Sequence, residues 1–229
     1  GPVIGGIMFG MWGIYPILVL SIVCFTFSAV MEIFIHIPHE KRIRESGILT
    51  VVGNDLKESY QFVKTEKPIF FSVVFLISIF NLILSSVMIV GTPILITQVL
   101  KMSDTMYGFT QGALALGGLC GGILTAAIAE KLKLKNSYIL LLVCAASVAL
   151  MGISLMFHIP AILSYWVITL MSFAAMGAST LFVVQIYTMV QEQTPPQLVG
   201  KIMAALISIA MCGQPIGQAI YGVLFDIFE

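Results

Sequence analysis

Charged residues are scarce in this chain. Eleven basic and eleven acidic side chains among 229 residues give a formal net charge of zero and a charged fraction of 10%. Soluble domains carry about 25% charged residues. Hydrophobic residues make up 59% of the chain instead, and the mean hydropathy is +1.05. This composition excludes an ordinary soluble domain and predicts a protein whose solvent is lipid.

Patterns that carry enzymatic or metal chemistry are also lacking. No nucleotide-binding loop, nucleophile elbow or zinc-protease pattern occurs. The cysteines stand singly without C-x-x-C spacing, so we interpret them as small buried residues: Cys24, Cys120, Cys144 and Cys212. One cluster could hold a metal at a helix end, but it has no fixed ligand spacing and is better explained as solvated side chains: Glu32, His36, His39 and Glu40. We expect no catalytic residues, no metal and no cofactor.

Long apolar runs indicate helices that cross a bilayer. About 20 apolar residues at helical rise span roughly 30 Å of hydrocarbon. Uncharged stretches of this length cover approximately residues 12–35, 69–100, 105–129, 136–158, 159–191 and 202–225, with a break at Pro160. They do not alternate with period two, which favours helices over a membrane barrel. The predicted fold class is an all-α polytopic membrane protein, with residues 1–11 as the tail of a further span.

Basic residues are distributed unequally between the connections. With alternating spans, all of them except Lys101 fall on one side, which the positive-inside rule makes cytoplasmic. Aromatic residues near the span ends are expected to act as interfacial anchors: Trp12, Tyr15, Tyr107, Tyr138, Tyr165 and Trp166. The expected location is therefore the cytoplasmic membrane of the cell, with a multi-pass topology.

The connection at residues 37–67 is long enough to hold structure of its own. Asp55 and Glu58 form a D-x-x-E pattern like a capping box, which predicts a helix that begins there. Leu56, Tyr60 and Val63 then form one apolar stripe. We predict a short amphipathic helix on the cytoplasmic membrane surface; the alternative is a polar linker with a frayed helix.

A weak internal repeat connects the two ends of the chain. GPVIGGIMFG at 1–10 and GQPIGQAIYG at 213–222 share an isoleucine and three glycines in ten aligned positions. Glutamines replace the counterparts of Pro2 and Gly6 in the second copy. The two copies lie six spans apart, which preserves direction in the membrane, as a parallel repeat requires.

Several segments together resemble the major facilitator superfamily, in particular its drug-exporter branch with macrolide and siderophore efflux proteins. These segments are the basic central loop before Pro68, AEKLKLK at 129–135 and QEQTPPQLVGKIMA at 191–204. GPVIGG is similar to the end of the antiporter motif in the fifth helix of such exporters. The resemblance implies a helical bundle that runs from the end of helix five through helix eleven of twelve.

The resemblance also implies three regions and two altered charge positions. Residues 1–36 would end the N-terminal half, 37–67 would be the central loop, and 68–229 would be the C-terminal half without helix twelve. Glu130 and Lys131 stand where the family often has an Asp-Arg pair, and Lys201 stands where it usually has arginine. Lysine lacks a bidentate guanidinium, so the cytoplasmic charge lock is expected to be looser.

Small residues spaced by four mark the expected helix interfaces. In lipid, such residues let two backbones approach closely. The resemblance places helices five, eight and eleven between the two halves and helices six and nine outside; ordinary static packing is the alternative. The candidate interface and gating residues are Gly1, Pro2, Gly5, Gly117, Gly118, Gly121, Gly122, Gly213, Gly217, Glu130, Lys131 and Lys201.

Polar residues at helical spacing predict a path through the membrane. Intramembrane polar groups tend to face the bundle interior, where they suit a large and mostly apolar solute. A helix-to-helix hydrogen bond is the alternative for each of them. The candidate path residues are Asn81, Ser85, Met88, Thr92, Gln111, Ser172, Ser179, Tyr187, Gln214 and Gln218.

These patterns predict a secondary transporter that works by alternating access. We expect it to export a drug-like or siderophore-like molecule in exchange for protons, as a monomer when full length, with no nucleic-acid partner. An uptake symporter is the alternative within the class. A membrane-embedded enzyme or a non-transporting scaffold are alternatives from other classes.

Overall fold

The structure is a computed structural model that describes residues 13–34, 48–128, 137–157 and 159–228. These ranges contain helices and connecting turns and no strand. The helices are α1 Ile14–Ile33, α2 Ile48–Thr65, α3 Ile69–Val99, α4 Asp104–Ile128, α5 Ser137–Met156, α6 Ala161–Glu192 and α7 Val199–Phe228.

Six of these helices, all except α2, are long and apolar enough to cross a membrane within the described residues. This confirms the predicted all-helical membrane fold. Pro160 caps the start of α6 with an extended backbone conformation, which produces the predicted break. Some predicted features lie outside the described residues: Gly1, Pro2, Gly5, His36, His39, Glu40, Glu130 and Lys131.

The helix α2 differs from its prediction in two respects. It begins at Ile48, so Asp55 lies inside the helix and the predicted capping box is wrong. Its packed side is formed by Ser59 and Phe62, which are buried, whereas Leu56 and Tyr60 are more than half exposed. Phe62 belongs to a core formed with α3, α6 and α7. The helix α2 therefore packs against these three helices and also leaves apolar side chains exposed.

The span α3 is irregular beyond its first turns. After Ile69–Phe80 it continues through π-helical segments at Asn81–Ser85, Val87–Gly91 and Ile94–Val99. Proline lacks the N–H that a regular helix needs, and Pro93 stands between the last two segments. π-Helical turns are rare and are often found at functional sites. They widen the helix where it faces α4 and α7.

Two cores join the helices α2 to α7, and α1 contributes no buried residue to either. One joins α3, α6 and α7 with α2, and the other joins α3, α4, α5 and α6. The most extensive contacts are those of α4 with α6, followed by those of α3 with α7 and of α5 with α6. Three hydrogen bonds tie α5 to α6: Ser137 Oγ to Gln185 Oε1 at 2.9 Å, Cys144 Sγ to the Ala175 carbonyl at 3.6 Å, and Ser164 Oγ to the Ser154 carbonyl at 2.9 Å.

Two burial predictions are wrong. Tyr165 was expected at the membrane interface, but it is 2% exposed and its hydroxyl donates to the Met106 carbonyl at 3.1 Å. Among the cysteines only Cys144 is buried; Cys24, Cys120 and Cys212 are exposed. A thiol behaves as a small hydrophobic group, so it is compatible with an apolar environment without burial in protein.

Candidate functional site

A pair of glycines brings α4 against the backbone of α6. A Cβ atom added at Gly117 would collide with the Phe173 carbonyl oxygen, and one at Gly121 would lie 2.5 Å from the Gly177 carbonyl oxygen. Gly177 is itself close, since its Cβ would lie 3.2 Å from the Gly117 oxygen. Only glycine allows this approach.

The second pair on α4 has a different environment. A Cβ at Gly118 would make ordinary contacts of 3.6 Å with Thr180 and 3.7 Å with Met176, and one at Gly122 would meet no described atom within 4 Å. Gly118 and Gly122 therefore stay predicted interface residues without a close backbone neighbour among the described residues.

Two glycines of α7 press on α3, one on its regular part and one on its π-helical part. A Cβ at Gly213 would collide with the Ser78 carbonyl oxygen, and one at Gly217 with the Leu82 carbonyl oxygen and the Ser86 hydroxyl. Ser86 Oγ also donates to the Gln214 carbonyl at 3.1 Å. The glycine contacts observed on α4 and α7 lie within residues 68–229. Contacts of these helices with the other half stay a prediction.

A cavity of about 670 Å³ lies between α3, α4 and α6. The cores join these three helices around it, and the close contact of α4 with α6 fixes one side. Its wall is mostly apolar, with four polar side chains and two methionines: Leu84, Ser85, Met88, Ile89, Tyr107, Gly108, Gln111, Leu114, Ala115, Met176 and Ser179. None of these wall residues is acidic or basic.

Hydrogen bonds orient the polar side chains of the wall. Gln111 Nε2 donates to Tyr107 Oη at 2.6 Å. Ser85 Oγ donates to Asn81 Oδ1 at 3.1 Å, while Asn81 Nδ2 donates to the Ile77 carbonyl at 3.0 Å. The wall therefore keeps the Gln111 carbonyl oxygen and the Ser85 lone pairs available to a bound molecule.

The structure brings together some of the predicted path residues and not others. Ser85, Met88, Gln111 and Ser179 line the cavity, and Asn81 stands behind Ser85. The remaining predicted residues lie outside this wall: Thr92, Ser172, Tyr187, Gln214 and Gln218. Thr92 and Ser172 are fully buried in the bundle. Among the described residues Ser172 Oγ has no hydrogen-bond partner.

Sequence reasoning missed Tyr107 as a wall residue. Its position near a span end suggested an interfacial anchor, but it stands one helical turn before Gln111 and shares that side of α4. The spacing of four between a tyrosine and a glutamine was the available signal. Leu84 and Ile89 could not be found in this way, because leucine and isoleucine occur on every side of these spans.

An ion pair fixes the end of the bundle beside α2. Lys201 Nζ, at the start of α7, lies 2.6 Å from Glu58 Oε2 of α2. Both side chains remain partly exposed, at 31% and 53%. Lys201 is the described member of the predicted charge lock, and its observed partner is on the central helix. Glu58 was assigned a capping role from the sequence, so this contact was not predicted.

Comparison with known families gives one match. A family model described as Major Facilitator Superfamily matches residues 1–220. No curated protein and no solved structure matches this chain significantly.

Proposed function

The chain belongs to the Major Facilitator Superfamily, and on that premise we propose that it exports a drug-like or siderophore-like molecule by alternating access, in exchange for protons. Membership and the six spans make the protein a multi-pass membrane transporter. The family is one of transporters, which points away from an enzyme.

The uncharged cavity between α3, α4 and α6 is the observation that carries this proposal. Transferring a charged group out of water is costly unless an opposite charge or several hydrogen bonds compensate. The described wall offers mainly methionine and aliphatic contacts with a few polar groups. Such a wall suits an amphipathic solute with limited polarity, so a drug-like substrate is favoured over a highly charged one.

The proton exchange in this proposal rests on the resemblance to exporters. The carboxylates of the described spans stand near their ends, as Glu32, Asp104 and Asp226 do. Proton-coupled transport generally uses an acid within the membrane. We place the protein in the cytoplasmic membrane and expect it to act as a monomer.

Dye accumulation in cells that lack their own exporters tests the proposal. Cells that express the full open reading frame should accumulate less of a neutral apolar dye than empty cells, and a protonophore should remove the difference. Equal accumulation would refute export. Greater accumulation in the expressing cells would instead indicate uptake, and loss of that difference with the protonophore would indicate the uptake symporter.

A matched pair of variants tests the cavity itself. Gln111→Leu removes an amide from the wall and should reduce export about five-fold, because a lost hydrogen bond costs about 1 kcal/mol. Gln98→Leu makes the same change near the end of α3, outside the wall, and should leave export unchanged. Equal effects of both variants, at equal amounts of protein in the membrane, would exclude this cavity as the substrate site.

A further inference from the structure

A second cavity lies outside the proposed path, at the end of the bundle where α2 packs. It is a groove of about 290 Å³ between α2 and the first turns of α3 and α7. Its wall is almost wholly apolar and includes Tyr60, Phe71, Ala205 and Ile209. Tyr60, Phe71 and Ile209 are each about half exposed. Since α3 and α7 are long and apolar enough to span a membrane, we place the groove at the edge of the bilayer, open to lipid.

The charges of α2 are separated around this groove. Lys57 and Lys64 are seven residues apart and share one side of the helix, next to Tyr60. The Lys64 ammonium lies 6.0 Å from the centre of the Tyr60 ring. Glu58 projects from another side of α2, where it is paired with Lys201. The side of α2 that carries Lys57 and Lys64 is therefore cationic.

We propose that this groove binds an anionic phospholipid, with an acyl chain against Tyr60 and Ala205 and the phosphate beside Lys57 and Lys64. An acyl chain satisfies the apolar wall, since the groove opens to the hydrocarbon of the bilayer. The phosphate satisfies the two ammonium groups, for which the structure shows no carboxylate partner among the described residues. Basic residues near a membrane surface favour anionic lipid by about five-fold each.

The site also brings lipid into contact with three helices of the bundle. Its wall combines α2 with α3 and α7, and Glu58 fixes α2 to the start of α7. A lipid bound there would contact all three helices at once. The binding itself does not depend on the transported substrate.

Quenching of a tryptophan placed in the groove tests this proposal. In the full-length protein, with every native tryptophan replaced by phenylalanine, Tyr60→Trp puts the fluorophore in the wall. Vesicles contain either phosphatidylglycerol or phosphatidylcholine brominated on the acyl chain. Phosphatidylglycerol should quench at an at least five-fold lower mole fraction. Equal quenching by both lipids would overturn the headgroup preference.

Charge variants distinguish lipid binding at this groove from the general attraction of anionic lipid to a basic protein surface. Lys57→Gln with Lys64→Gln should bring the preference close to one, whereas Lys101→Gln, a lysine at the other end of α3, should leave it unchanged. An unchanged preference in the double variant would overturn the assignment of these two lysines.

Steric variants test the groove as the place of the acyl chain. Ala205→Leu fills the groove and should weaken quenching by both lipids, whereas Ala204→Leu, on the exposed side of α7, should not. Quenching by neither lipid in the unfilled protein would overturn the proposal and show that protein, such as a second copy of the chain, covers the groove. The lysine pair provides the test if Ala205→Leu does not fold.

Discussion

The two sides of α4 carry the same sequence pattern and differ in what they contact. Gly117 and Gly121 lie against the backbone of α6, whereas Gly118 and Gly122, one position further along, have no such neighbour among the described residues. A G-x-x-x-G pair thus permits a close approach without requiring one. The neighbouring helix determines which glycine pair is closely packed. Gly177 of α6 lies opposite Gly121, so the two backbones meet where neither helix has a side chain.

The largest effect is expected from alanine at the packed pair. Gly117→Ala with Gly121→Ala places two methyl groups on carbonyl oxygens of α6, and a backbone cannot move aside as a flexible side chain can. Overpacking costs about 1–3 kcal/mol per site. We expect a clear fall in the melting temperature of the detergent-solubilised protein.

The matched control is Gly118→Ala with Gly122→Ala, one position further along α4. These methyl groups have space, and alanine favours a helix over glycine by up to about 1 kcal/mol. The melting temperature should be unchanged or higher. Equal destabilisation by both pairs would show that both sides of α4 are closely packed in the complete protein.

The contact of α7 with α3 extends the comparison to a second helix. Gly217→Ala should destabilise the protein by about 1–3 kcal/mol, because the added methyl group meets the Leu82 carbonyl and the Ser86 hydroxyl. Gly222→Ala, on the same helix with nothing within 4 Å, should not. Thermal unfolding of the two variants measures the difference, and a tolerated Gly217→Ala would mean that the π-helical part of α3 can yield.

These glycines show which features of the fold could be predicted from the sequence and which could not. Long uncharged runs predicted the six spans, because the bilayer makes length and apolarity the only requirements for crossing. The same apolarity gave no information on which side of a helix is packed. Gly117 and Gly118 each begin a G-x-x-x-G pair, so the sequence does not distinguish them; only the position of α6 does.

The cavity was predictable in part for a related reason. Polar spacing found Ser85 and Gln111, because a polar side chain inside a membrane is uncommon and needs a partner. It also selected Thr92 and Gln218, which lie outside the wall, since the direction of a helix side depends on neighbouring helices. The π-helical turns of α3 are a second reason for these errors. After Asn81 they change the direction in which each side chain points from that of a regular α-helix.

A hydrogen bond on the packed side of α4 should have a smaller effect than the glycines. The hydroxyls of Thr110 and Thr169 are 2.8 Å apart and buried. Thr110→Val keeps the shape but leaves Thr169 unpaired, at a cost of about 1 kcal/mol. The double variant with Thr169→Val should be closer to the wild type than the single variant.

Thr125 provides the control for the threonine change. Its hydroxyl donates to the Gly121 carbonyl of its own helix at 2.8 Å, so Thr125→Val breaks no contact between helices. Thermal unfolding should place this variant close to the wild type. If Thr110→Val has no greater effect than Thr125→Val, the hydroxyl pair makes no measurable contribution to the stability of this packed side of α4.

The smallest effect on stability is expected at the ion pair between α2 and α7. Exposed pairs contribute about 0–1 kcal/mol, and Glu58 and Lys201 are both partly exposed. Lys201→Glu places two carboxylates together and should lower the melting temperature slightly at low salt, with a smaller change at high salt. The exchange Glu58→Lys with Lys201→Glu should restore it. If the exchanged variant stays as unstable as Lys201→Glu, the lysine acts through neighbours other than Glu58, and α2 is held on the bundle mainly by the burial of Phe62.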